Sequence, residues 1–194
     1  MTPERSIKAT LFQVVADDVA RLLASGRFTQ AELERRLDPS DLRYLGKQLA
    51  VSSWVPLATF VRVMNAALDL AGITDREAFM RAGGAVTAAR LRESGIYRQF
   101  EVMNEPWSRR VGKILSTLGA VHYNFTRWSF EEGEGDVVFR VEASDAADLP
   151  EMLRIATEGY IAHLWSSHAD QGEIVVTSKR VTRDKLVFTA TRKQ

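Results

Sequence analysis

Cysteine is absent from all 194 residues. That excludes disulfides, thiolate nucleophiles and every thiolate metal site, and it fits a reducing compartment such as the cytoplasm. Histidine is scarce: His122, His163 and His168 are all there is. His163 and His168 are five apart, a poor spacing for one helical face. No carboxylate pair accompanies them, so a zinc helix is not indicated. An excess of one charge is also missing, with 26 Lys and Arg against 25 Asp and Glu, a formal net charge of +1. No field marks nucleic acid or an anionic membrane as a partner. No apolar run approaches the roughly 20 residues that span a bilayer, and the segment Met1–Thr10, with Glu4, Arg5 and Lys8, has no signal-peptide core. The expectation is a cytoplasmic protein with no membrane insertion.

Catalytic signatures are missing in the same way. There is no Gly-x-Ser-x-Gly elbow, and Ser52-Ser53 read as caps or turn residues. Gly83-Gly84 lacks the preceding strand and the lysine of a phosphate loop, so it reads as a helix kink or as a point where another backbone comes close. Asp17-Asp18 and Glu131–Glu134 read as solvated surface, because paired acids need burial to acquire useful pKa values. Arg109, Arg110 and Lys113 make a small basic helix face, best satisfied by intramolecular pairing. Helices over 29–37 and 40–50 have the look of a DNA-reading pair. The second carries only Arg43 and Lys47, too few to neutralise many phosphates. The chain is not expected to be an enzyme, and no cofactor or metal is implied by its residue types.

What is present divides into a helical opening and a C-terminal ββαββ unit. Leu11, Val14, Val15, Val19, Leu22 and Leu23 form one stripe ending at Ser25-Gly26. Thr29-Gln30-Ala31-Glu32 has capping-box spacing. Asp38-Pro39 restarts a helix expected to run through Leu42, Leu45 and Leu49. Val55 precedes Pro56 and marks a boundary before a helix through Leu57, Phe60, Met64 and Leu68. Thr74–Glu77 opens the next helix, and Asn104–Trp107 the last, expected over Pro106–Leu118 with Gly119 closing it. Residues 121–125 then alternate as Val121, Tyr123 and Phe125, which predicts a strand continuing past a bulge to Trp128 and Phe130. Val137, Phe139 and Val141 form its hairpin partner. A helix through Leu149–Leu164 follows, then a second hairpin over Ile174–Val181 and Lys185–Thr191. The predicted fold class is α+β. About six helices precede a four-stranded antiparallel sheet, with one helix on one face and the N-terminal helices on the other. The 194 residues read as a single domain, 1–119 helical and 120–194 ββαββ.

This element order resembles the heme-dependent nitric oxide/oxygen-binding domain and its heme-free relatives, the 4-vinyl reductase-like ligand-binding domain and the small subunits of Golgi transport tethering complexes. The segments Leu37–Asp41 and Ser52-Ser53-Trp54-Val55-Pro56-Leu57 also resemble a family abundant in myxobacteria, from which no molecular function carries over. The resemblance implies a module for sensing ligands or docking proteins. It also implies where heme would be held: a histidine on the helix before the sheet, and Tyr-x-Ser-x-Arg at the end of the second strand. The helix expected over Pro106–Leu118 has no histidine, and Glu142-Ala143-Ser144-Asp145-Ala146 keeps only the serine. Heme is therefore not expected. Aromatic and aliphatic residues gather mid-chain instead. They nominate Phe79, Tyr97, Phe100, Trp107, Val111, Leu115 and Phe125 as candidates to line a pocket for a small hydrophobic or aromatic ligand, with Tyr97 and Trp107 offering polar contacts. The alternative is a filled core in a protein-interaction adaptor. A protein partner or homodimer is expected in either case.

Overall fold

The computed structural model describes residues 4–168 and 172–193. They form two compact units, Met1–Arg76 with His122–Asn124, and Glu77–Val121 with Phe125–Gln194.

In the first unit, β1 (Ser6–Lys8) leads into α1 (Ala9–Ala24), followed by α2 (Gln30–Glu34), α3 (Pro39–Leu42), β2 (Trp54–Pro56) and α4 (Leu57–Leu70). Phe12, Val15 and Val19 of α1 and Leu57, Phe60, Val63 and Met64 of α4 are buried. The capping box at Thr29 closes both ways. The Thr29 amide donates to Glu32 Oε2 at 2.7 Å, and the Glu32 amide to Thr29 Oγ1 at 3.3 Å. The expected helix over 40–50 stops at Leu42, and residues 43–53 form no helix or strand. Asp41 explains where the chain is held instead. It is 0% exposed, and it accepts from Thr59 Oγ1 at 2.8 Å and from Arg62 Nε and Nη2 at 2.7 and 2.6 Å. The Arg62 guanidinium holds its carboxyl below the usual carboxylate range. β1 pairs antiparallel with β2, and Ile7 also bridges to Tyr123.

The second unit contains α5 (Arg76–Glu93, beginning at the boundary), α6 (Arg98–Glu101), α7 (Trp107–His122), β3 (Arg127–Glu132), β4 (Val137–Ser144), α8 (Glu151–Ser166), β5 (Ile174–Thr182) and β6 (Lys185–Arg192). The sheet is antiparallel, in the order β3-β4-β6-β5. Two expectations need correction. Gly119 does not end its helix, which continues to His122, so the alternation over 121–125 belongs to a helix end and a turn, and the first strand starts at Arg127. The sheet also carries its helices on a single face. Phe139, Val141, Ala143, Leu186, Phe188 and Ala190 are buried there, and the Phe139 ring meets Trp165 of α8 at 5.9 Å. The opposite face, with Ser129, Arg140, Thr177 and Lys179, is exposed, as suits an antiparallel sheet solvated on one side.

Candidate functional site

Within the second unit, α5 and α8 cross at van der Waals contact because each offers a glycine. A Cβ on Gly84 would overlap the Ala156 carbonyl oxygen, and one on Gly159 would overlap that of Arg81. The close approach inferred for Gly83-Gly84 is thus real and belongs to Gly84; a Cβ on Gly83 meets nothing within 4 Å. Beside the crossing, the buried Glu158 carboxylate binds Arg81 at 3.0 Å and Arg154 at 2.9 Å, and it accepts from Ser178 Oγ. One charge network therefore joins α5, α8 and β5.

Tyr97, at the start of α6, is 1% exposed, and its hydroxyl bonds to that of Tyr160 on α8. Burial pushes the Tyr97 phenol well above its ordinary pKa, so it stays a neutral hydroxyl. Phe100, Trp107, Val111 and Leu115 are buried, while Phe79 and Phe125 are half-buried. Trp107 directs its indole N–H to the Trp165 carbonyl at 3.3 Å, so its donor is already engaged, and its ring meets that of His168 at 4.2 Å, tilted by 47°. Both polar groups expected to meet a ligand thus have partners within the protein, Tyr97 in Tyr160 and Trp107 in Trp165. Tyr160 and Glu158 were not singled out as site residues. Their signal is the tripeptide Glu158-Gly159-Tyr160, a charge and a glycine set into an otherwise apolar helix stripe.

The side of α7 that meets the sheet is interlocked with β3. A Cβ on Gly112 would overlap the Phe130 ring, and one on Gly119 the Trp128 ring. Trp128 stacks on Phe188 at 5.8 Å, and Phe130 meets Phe139 at 6.0 Å.

No protein-family model matches the chain, and no curated protein sequence does. Solved structures do. An H-NOX protein from S. oneidensis, in the Fe(II) state and carrying three alanine substitutions, superimposes with a TM-score of 0.65 at 10% identity, covering 97% of both chains. The Fe(II) unliganded H-NOX protein from K. algicida gives 0.64 at 8%, again over 97% of both. An oxygen-binding H-NOX domain related to soluble guanylate cyclases gives 0.58 at 11%, over 97% of this chain and 96% of that one. The fold is the H-NOX fold. It confirms the α+β architecture with helices before an antiparallel sheet.

The H-NOX fold implies heme, and the residues present do not fit it. The longer α7 does contain one histidine, contrary to expectation, but His122 is its last residue and lies among the contacts of the first unit. It is 6% exposed. Burial, then the nearby Lys8 charge, lowers its pKa to about 4. The sheet-facing side of α7 presents glycines filled by rings and no metal donor. At the end of β4, where anionic side chains of a cofactor would need cations, Glu142 is paired with Lys185 at 2.7 Å and Asp145 with Arg127 at 2.8 Å. Among the described residues, no three His, Cys, Asp or Glu side chains are grouped to hold a metal ion. No described helix is long and apolar enough to cross a membrane.

Proposed function

We propose that the chain is a heme-free sensory module of a signalling system, acting as one domain in the cytoplasm and binding a small hydrophobic or aromatic molecule. The observation that carries this reading is an H-NOX fold over 97% of the chain in which the α7–β3 seam is packed with rings where a metal donor would be needed. The oxygen complex of the related H-NOX domain is evidence that the fold can hold a small molecule. On this reading the ligand is lined by Tyr97, Phe100, Trp107, Val111 and Leu115, which are buried, and by Phe79 and Phe125, which are half-buried. The Tyr97–Tyr160 hydroxyl pair gives such a ligand one polar contact point. On this reading the module is a binder and not an enzyme, as suits the fold it shares with an oxygen-binding domain.

Native mass spectrometry of protein purified gently from its own host tests this. A reproducible excess mass per chain, without the absorption of heme and diminished in Tyr97→Phe, is the expected result. A heme mass would overturn the heme-free reading. A clean apo mass would overturn the ligand.

A further inference from the structure

The two edges of the four-stranded sheet are built differently. β5 is guarded: Lys179 stands in it, its register shifts between Arg180 and Thr182, and Arg154 Nη1 lies 3.4 Å from the Ser178 carbonyl oxygen. Charges, bulges and covered backbone are the means by which edge strands resist pairing. β3 is not guarded in the same way: its charges, Arg127, Glu131 and Glu132, are of both signs. Its residues Arg127-Trp128-Ser129-Phe130-Glu131-Glu132 include no lysine or proline, and they run against β4 without a shift from Arg127↔Ser144 to Glu132↔Phe139. Just beyond the strand, and in the same register, the Gly133 amide donates to the Val138 carbonyl at 3.1 Å. Odd-numbered positions therefore ladder to β4, and even-numbered positions direct their backbone to the open edge.

β3 is also its own complement. Placed antiparallel to a second β3 about a two-fold axis through Ser129, Arg127 meets Glu131 and Trp128 meets Phe130, each pair occurring twice. Arg127 is 80% exposed and its ion-pair partner Asp145 is 52% exposed, while Glu131 is exposed with no ion pair among the described residues. Trp128 and Phe130 are only half-buried, although both sit on the apolar face. A neighbouring strand would cover them. We propose that β3 pairs with β3 of a second copy of this chain, forming a two-fold dimer with one continuous sheet. Opposite charges and aromatic rings facing each other across strands both favour that register.

The absence of cysteine makes a direct test available. Ser129→Cys places a single thiol on the axis, where opposed Cα atoms of a non-hydrogen-bonded pair lie about 4.5 Å apart, within disulfide reach. Mild oxidation of the full chain is expected to give a covalent dimer from Ser129→Cys and none from Val175→Cys on β5. In sedimentation velocity the unmodified chain should dimerise with concentration. Arg127→Glu should weaken that association about tenfold or more, and Arg127→Glu/Glu131→Arg should restore it. The restored double variant distinguishes lost pairing from lost folding. A chain that stays monomeric, a dimer indifferent to Arg127→Glu, or equal cross-linking through Val175→Cys would each overturn the proposal.

Discussion

Adjacent glycines in α5 make opposite predictions. Gly83 has open space where a Cβ would go and ordinary helical neighbours. Gly83→Ala is therefore expected to stabilise the protein by about 0.5–1 kcal/mol, the helix-propensity difference. At Gly84 the added methyl would meet the Ala156 backbone on α8. Backbone cannot step aside as a flexible side chain can, so Gly84→Ala should destabilise by about 1–3 kcal/mol through overpacking. Paired thermal melts check both signs; equal effects would sink the assignment of the helix crossing to Gly84. His122 makes a second prediction at this scale. Its folded pKa, about 4, lies below the unfolded value of 6.5. Below pH 6.5 the unfolded state takes up the proton more readily, so stability is full above that pH and falls as the pH drops toward 4. From pH 7 to pH 5 the loss should be about 2 kcal/mol. His122→Asn should remove most of that slope in denaturant titrations.

Between elements, the carboxylate of Asp41 ties α3 to α4. The two partners differ in exposure: Asp41 is fully buried, whereas the Arg62 side chain is 45% exposed. Removing the arginine strands a buried carboxylate with only Thr59 and the Asp38 backbone beside it; removing the aspartate leaves a guanidinium that water can reach. Arg62→Met is expected to cost about 3 kcal/mol and Asp41→Ala clearly less, because breaking a pair is dearest when the buried member survives. Urea unfolding of both variants decides it. This tie also marks how far the elements were legible in sequence. The capping box at Thr29, the boundary at Pro56 and the β5–β6 hairpin rest on local chemistry, and all three were visible. The strands β1 and β2, three residues each, exist only because they find each other across the chain. The alternation of Val121, Tyr123 and Phe125 misled for the same reason: Tyr123 does make a bridge, but with Ile7, 116 positions away. The candidate site shares this limit, since Tyr97 and Tyr160 are 63 residues apart and a helix stripe says nothing of which hydroxyl it will meet.

For the whole molecule, the decisive property is that its packing uses its own side chains. Phe130 and Trp128 fill the α7–β3 seam, Trp107 spends its donor on Trp165, and Tyr97 spends its hydroxyl on Tyr160. None of these contacts waits for a cofactor, so the chain should fold fully when made without heme. A group that binds only the folded state adds RT ln(1 + [L]/Kd), about 2.7 kcal/mol at one hundred times Kd. In a chain of this size that raises the Tm by roughly 5–10 °C. Thermal melts with and without hemin therefore discriminate cleanly. The expected outcome is an unchanged Tm and no saturable Soret band. A rise of several degrees together with such a band would mean that His122 or another donor captures iron after all, and the heme-free reading would fail. A rise produced instead by an apolar compound recovered from the host, and absent in Tyr97→Phe, would fix both the kind of ligand and the unit that binds it.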